Sequence, residues 1–483
     1  MDRIRIGLDF GTHQTKICVQ IAPDEGHGEP RYEFFKFPDL QGQMQYFLPS
    51  VIQINKDDTL SYGYVDHENM KEEPKSPIKE EAVLEPEFDV SEMTEKLFSI
   101  YATEDNSFED KDVLDEMLRI RLQRIRGRNK LSLREAEKIY EAQLKAQEEG
   151  KNIFRYFKQA TFIGGEWNRI TPVSNRILCI WYLAYIIFML EEKYGTNFSI
   201  NMGIPADESQ YNVKKRLAIE ILASSYYLVE DVYHNVFKDF LNEKVEDLLK
   251  KTDKKVFSED LKEEYKMNIF PEAYANLTSL TSRGKLPEGM SLTADIGGGT
   301  TDISFFTIEN GLPMIYKYWS IPRGLNYVAK RSGFDYAEGD FRKRAQQDVI
   351  MKFNRKKTEL ISDLVSDLSR KIREETSIPV QNLRDALEDG ILVYSGGGST
   401  YDFLTEPIEP FTDVRIIDPS IWNEENILDK SSVSVLSQLL TTAYGLAVCD
   451  NDEDVKLKSY TSLFSHLPKK HENERPEISK DQV

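Results

Sequence analysis

The chain has 483 residues, 40% of them hydrophobic, which is more than one core organises and enough for two or three domains. Its formal net charge of −20, from 62 Lys and Arg against 82 Asp and Glu, opposes binding to nucleic acid or to an anionic membrane surface. One basic run, Arg119 to Lys130, interrupts this pattern and reads as a solvated helix face.

In chain order, the first element is a β-hairpin. The apolar run Ile4 to Leu8 leads into Asp9-Phe-Gly-Thr-His-Gln-Thr-Lys16, and a second apolar run, Ile17 to Ile21, follows. Between Asp66 and about Phe154 the composition shifts. Residues 68 to 92 are rich in Glu, Lys and Pro and predict an exposed loop. Helices follow, with capping boxes at Asp89-Val-Ser-Glu92 and Ser132-Leu-Arg-Glu135 and narrow apolar stripes over 112–128 and 132–150. The longest apolar run, Ile177 to Leu190, falls short of the roughly 20 residues needed to span a bilayer. It predicts a buried helix capped by Thr171, with Pro172 at its first position and Gly195 at its end.

Further on come Gly203-Ile-Pro-Ala206 with Ser209-Gln210, a helical charge-rich segment from about Tyr233 to Lys266, and the turn Phe270-Pro-Glu-Ala273. A second hairpin is predicted where Leu292 to Ala294 leads into Asp295-Ile-Gly-Gly-Gly-Thr-Thr-Asp302 and Ile303 to Ile308. A buried strand, Ile391 to Tyr394, precedes Ser395-Gly-Gly-Gly-Ser399, and Ala443-Tyr-Gly-Leu-Ala447 closes the ordered pattern. After Asp450 the sequence reads as an acidic polar tail. Cys18, Cys179 and Cys449 have no metal-ligand spacing and read as buried reduced thiols. Met1-Asp2-Arg3 leads straight into a strand, so no leader is expected and the cytoplasm is the expected location.

Glycine at a hairpin tip lets backbone N–H groups cradle phosphate oxygens, and an aspartate beside such a cradle acts on phosphate through a hydrated Mg²⁺. With five motifs in this order between residues 4 and 449, the chain resembles the actin-like ATPase superfamily of actins, 70-kDa heat-shock chaperones and sugar kinases. It is most similar to a divergent heat-shock chaperone ATPase domain. The resemblance implies an α/β fold of two lobes, each a ribonuclease-H-like mixed sheet with flanking helices, binding ATP or ADP with Mg²⁺. The first lobe would span 1–200 with a helical insertion at about 67–153, and the second 201–430 with an insertion at about 233–266. A closing helix at 431–450 and a tail at 451–483 would complete the chain.

The resemblance also implies roles. Asp9 and Asp295 would organise Mg²⁺ through water, with Asp302 as a third carboxylate. Gly11 and Thr12, and Gly297, Gly298, Gly299 and Thr300, would form two phosphate cradles. Gly396, Gly397 and Gly398 would turn beneath the adenosine, where a bulky side chain would strike base or ribose. Lys16 matches a phosphate-binding lysine of the actin branch, its alternative being an outward surface lysine. Heat-shock chaperones instead carry a lysine downstream of a Pro-Ser-Val segment, here Pro49-Ser50-Val51. Counting forward lands near His67, where no lysine stands. His13 is expected at the outward tip of its loop, its alternative being a contact with phosphate.

In heat-shock relatives a glutamate just before a proline orients the hydrolytic water. Here Phe270 holds that position and Glu272, two residues on, is the candidate. The expected activity is slow ATP hydrolysis coupled to lobe closure, with the insertions engaging a protein partner. Lys16 and the lack of a β-rich peptide-binding domain keep a filament-forming, self-assembling actin as the alternative. A small-molecule kinase is a lesser one, since no sugar-recognition signature is present.

Overall fold

The computed structural model describes residues 3–23, 28–71, 152–162, 173–206, 208–252, 260–281, 286, 290–321, 323–325, 328–329, 347–375, 390–409, 411, 413–416, 426–434 and 436–458. The capping boxes and helices expected between 72 and 151 lie outside them, as do Thr171, Pro172 and the chain beyond 458.

The first stretch is extended: β1 (Arg3–Phe10), β2 (Gln14–Ala22), β3 (Arg31–Phe34), β4 (Phe37–Pro38), β5 (Met44–Gln45), β6 (Leu48–Pro49), β7 (Val51–Ile54) and β8 (Leu60–Tyr62). Next come β9 (Ile153–Arg155), α1 (Phe157–Phe162), α2 (Asn175–Tyr194), β10 (Phe198–Ile204) and α3 (Glu208–Tyr227). Short helices α4 (Phe237–Leu241), α5 (Val245–Thr252) and α6 (Asp260–Glu264) precede β11 (Met267–Pro271) and α7 (Glu272–Thr281). The remainder comprises β12 (Ser291–Ile296), β13 (Thr301–Glu309), β14 (Leu312–Ile321), α8 (Gln347–Glu375), β15 (Ile391–Ser395), β16 (Asp413–Ile416), α9 (Lys430–Ser434), α10 (Ser437–Val448) and β17 (Lys456–Leu457).

The fold is mixed α/β. One sheet runs β11-β10-β1-β2-β3, with β6 also on β2; the other runs β16-β15-β12-β13-β14-β17. In each, an antiparallel meander of three strands is extended on its first-strand side by two parallel strands that come later in sequence. The two sheets therefore share one strand order. Both predicted hairpins are the first two strands of such a meander.

Parallel strands buried on both faces read as near-continuous apolar runs, and β1 obeys this from Ile6 onward. Ile6, Leu8 and Phe10 enter a core with α2 and α3, while Gly7 faces the other way. A Cβ on Gly7 would lie 2.3 Å from the Ala443 carbonyl of α10. A Cβ on Gly445 would lie 1.8 Å from the Ala275 carbonyl of α7. These two helices and residues from both sheets form a separate core, including Cys18, Tyr32, Phe270, Tyr444, Phe306 and Val393.

The long apolar helix α2 is capped by Ser174, whose hydroxyl accepts from Ile177 N at 3.3 Å, and ends at Gly195 with φ 74°. No helix among the described residues is long and apolar enough to cross a membrane. The described part of 233–266 packs on the body through aromatic rings: Phe237 and Phe240 meet Phe188 at 5.1 and 5.2 Å, and Phe240 meets Tyr62 at 5.5 Å. The expected tail starts later than residue 451. Asp452, buried, takes Lys215 at 3.0 Å, Lys262 at 2.9 Å and the Ile269 N–H at 3.0 Å, and β17 then joins β14.

Alanine ordinarily stabilises a helix interior by about 1 kcal/mol over glycine. At Gly445 the contact with α7 outweighs that gain, since overpacking costs about 1–3 kcal/mol or more. Gly445→Ala is expected to lower stability by about 2 kcal/mol. Urea unfolding followed by circular dichroism checks this, and an unchanged or higher midpoint would show that α10 is not seated on α7.

Candidate functional site

The two hairpins carry matched pairs of charged residues. Asp9 on β1 stands opposite Lys16 on β2, with Lys16 Nζ 2.8 Å from Asp9 Oδ2. Asp295 on β12 stands at the same spacing opposite Asp302 on β13. Like charges directly across a ladder repel. Asp302 is held by the Tyr318 hydroxyl at 2.8 Å and the Thr300 hydroxyl at 3.3 Å.

The tips meet each other. A Cβ on Gly299 would lie 2.6 Å from His13 Nε2 and 3.2 Å from the Thr12 methyl. His13 is thus packed between the tips and against Tyr156, ring centroids 5.1 Å apart, instead of facing outward. Gly297 closes its turn by donating to the Thr300 carbonyl at 2.9 Å, and Gly324 abuts the Gly297 and Gly298 backbone. Gly11 lies against the Gln14 carbonyl.

The third glycine stretch adjoins the second hairpin. Gly396 has φ 78°, and a Cβ there would lie 2.1 Å from Asp295 Oδ1. At Gly398 it would strike the Ile296 side chain at 2.1 Å, whereas at Gly397 it would meet only Leu439 at 3.0 Å. Part of the glycine requirement therefore comes from the protein's own packing.

Three residues not anticipated from the sequence complete the cluster. Lys158 on α1 forms an ion pair with Glu272, the first residue of α7, and its side chain is 3% exposed. Gln159, also buried, donates from Nε2 to the Thr12 hydroxyl. Asn276 on α7 donates to Ser395 Oγ at 2.9 Å, Thr442 Oγ1 at 3.3 Å and Asp295 Oδ2 at 3.4 Å, joining β12, β15 and α10. Lys158 reaches the site because β9 pairs with β7, laying Arg155 beside Val51. At the base of the 72–151 segment, Asn152 donates to the Lys71 carbonyl at 2.6 Å, so the chain departs and returns at one point. Phe270 is fully buried in the core around α7 and α10 and turns no polar group to the site.

Four carboxylates, Asp9, Glu272, Asp295 and Asp302, thus stand against two ammonium groups, Lys16 and Lys158. Burial pushes the Lys16 ammonium down, but Asp9 foremost, then Asp295 and Glu272, outweigh it and hold it above its ordinary value. Lys16 is therefore inside the cluster and is not an outward surface residue. Burial raises the Glu272 carboxyl, with Lys158 opposing and Asp9 and Asp302 adding to the rise. Burial and the facing Asp302 raise Asp295 to about 7. Among the described residues no three Asp, Glu, His or Cys side chains converge closely enough to chelate a metal directly.

A groove of about 660 Å³ lies elsewhere, between β3, β5, the end of α2 and Leu428. Four of its charged groups pair with one another, Lys36 with Asp429 at 2.6 Å and Lys193 with Glu33 at 2.7 Å. The hairpin cluster, where four carboxyl groups and two lysines converge at two glycine turns, is the better candidate for chemistry. No protein-family model matches the chain, and no curated protein matches it.

The raised Asp295 has a consequence for stability. A carboxyl raised from 3.8 to about 7 stabilises the fold fully below the lower value and loses that contribution as pH rises through the higher one. Metal-free Asp295→Asn should therefore melt with the wild type near pH 4 and about 3 °C above it at pH 8. Calorimetry at the two pH values checks this; a variant less stable than wild type at pH 8 would contradict it.

Proposed function

We propose that the chain is a slow Mg²⁺-dependent ATPase of the actin-like type, nearest a heat-shock chaperone ATPase domain, in which ATP turnover governs closure of two lobes. The observation that carries this reading is the repeated strand order. Two sheets of the same topology, the order of a ribonuclease-H-like unit, each send their first hairpin to a common acidic cluster. Fold alone does not fix chemistry, so the site supplies the rest.

The residues suit a hydrated divalent cation. Asp9 and Asp295 sit beside the two tips, and the four-against-two balance of carboxylates and ammonium groups leaves charge for an ion to neutralise. When bound, Mg²⁺ would offset the β- and γ-phosphate charge that otherwise repels these carboxylates. Gly11, Thr12 and Gly298 to Thr300 would present backbone N–H groups from opposite sides, with the Gly297 N–H closing the second turn, and Gly396 to Gly398 would bound the nucleoside end. Lys16 and Lys158 place positive charge at the phosphates, where transition-state charge gathers. Glu272 belongs to the catalytic group by holding Lys158. The segment 72–151 joins the body at Lys71 and Asn152, at the Ile54 end of β7, whose other end adjoins the first hairpin tip, and it would couple nucleotide state to a protein partner.

Titration with a fluorescent ATP analogue, with and without Mg²⁺, together with phosphate release, tests the proposal. Saturable Mg²⁺-dependent binding is expected, and its absence would defeat the reading. Lys158→Ala should retain ATP binding while slowing single-turnover hydrolysis by about two to four powers of ten. Glu272→Gln should move in the same direction, because it releases Lys158 from its counter-charge. Wild-type rates in both variants would remove this pair from the mechanism.

A further inference from the structure

We infer that Gln159 orients the water that attacks the terminal phosphate, a role that rests on the ATPase reading above. Gln159 is 3% exposed, and its carboxamide has two ends with different fates. Nε2 donates to the hydroxyl of Thr12 at the first hairpin tip. Oε1 is buried and has no hydrogen-bond partner within the protein. A buried acceptor left unsatisfied carries the full desolvation cost of that group, so a donor is expected beside it.

Chemistry narrows the identity of that donor. A carboxamide joins an acceptor for a water O–H to a donor for an oxygen beside it, which is what positions a nucleophilic water in line with a phosphoryl group. Glu272 serves less well here, because its Oε1 is taken by Lys158 and its carboxyl is raised by burial. Gln159 follows Lys158 directly on α1, so one short helix delivers the cation to Glu272 and the amide to the Thr12 tip. In the step, a water donates one O–H to Gln159 Oε1 and its oxygen lone pair forms the new bond to the terminal phosphorus. The bond from phosphorus to the bridging oxygen breaks with its electron pair passing to ADP, and the proton of the attacking water ends on inorganic phosphate.

Gln159→Met keeps the length of the side chain and removes both polar ends; Gln159→Asn keeps both and withdraws them by one methylene. With Mg²⁺ and ATP, the Met variant should bind a fluorescent ATP analogue within about twofold of wild type and hydrolyse in a single turnover about a hundredfold slower. The Asn variant should fall between, and thermal melting of both establishes that they fold. A rate equal to wild type in a folded Met variant would overturn the inference. So would a parallel loss of affinity and rate, which would mark Gln159 as a prop for Thr12. Wild-type protein that binds ATP without hydrolysing it would overturn the water-orienting role and leave the nucleotide site standing, whereas wild-type protein that binds no ATP would defeat the nucleotide reading itself.

Discussion

The arrangement depends on how closely α10 lies between β1 and α7. Gly7 and Gly445 permit that approach, since a single carbon at either would overlap a backbone carbonyl. From this layer the site takes its alignment. Asn276 on α7 reaches Ser395, Asp295 and Thr442 at once, and Gly396 N–H donates to the Gln438 carbonyl of α10 at 3.1 Å. The second hairpin and the glycine turn after β15 are thereby tied to helices that also pack on the first sheet. A shift of α10 of an ångström would move the two tips relative to each other, and positioned groups lose much of their effect at that scale.

Electrostatics then sets what such a site tolerates. The Asp295–Asp302 pair is a like-charge pair across a ladder, the arrangement that sheets ordinarily avoid. It persists because Tyr318, Thr300 and Asn276 donate to the two carboxylates and Lys16 lies near Asp295. Strain of this kind concentrates where a ligand relieves it. In the hairpin cluster four carboxylates share Lys16 and Lys158, whereas Asp452, buried, receives two lysines and a backbone N–H to itself. The contrast separates a carboxylate matched to its own cations from carboxylates that share theirs.

Much of this was legible in the sequence, because hairpins announce themselves locally. Alternating apolar runs on either side of Asp9–Lys16 and Asp295–Asp302 mark strands whose ends match within three residues, and a seven-residue spacing across a tight turn makes each pair face itself. What failed was anything that depended on distance along the chain. Lys158 stands far downstream of Pro49-Ser50-Val51, and only the pairing of β9 with β7 brings it back, so counting residues from that segment led to His67. Gln159 and Asn276 carry no motif, since their importance lies in burial and in partners from other elements. Asp452 was read as tail because a short polar segment gives no periodic signal, and only tertiary ion pairs order it. The cap of α2 shows a smaller form of the same limit: Thr171 and Ser174 are both good cap residues, and the structure uses Ser174.

Under the proposed function, the two lysines bear on which branch of the actin-like ATPases this chain is nearest. On the proposed reading, Lys16 occupies the hairpin position of the actin branch, and Lys158 answers to the lysine that heat-shock chaperones carry after Pro-Ser-Val. Each has its own carboxylate, Asp9 for Lys16 and Glu272 for Lys158, so neither substitutes for the other. With Lys16 held between the strands of the first hairpin, the carboxylate that partners Lys158 has to come from elsewhere, and it comes from the start of α7. That accounts for Phe270: with the carboxylate supplied by Glu272, the preceding strand position is released to the core, where an aromatic ring packs against Tyr274 and seats α7. On that reading the two-residue displacement of the glutamate and the burial of the phenylalanine are one change, because the turn from strand to helix sends Phe270 into the core and Glu272 to Lys158.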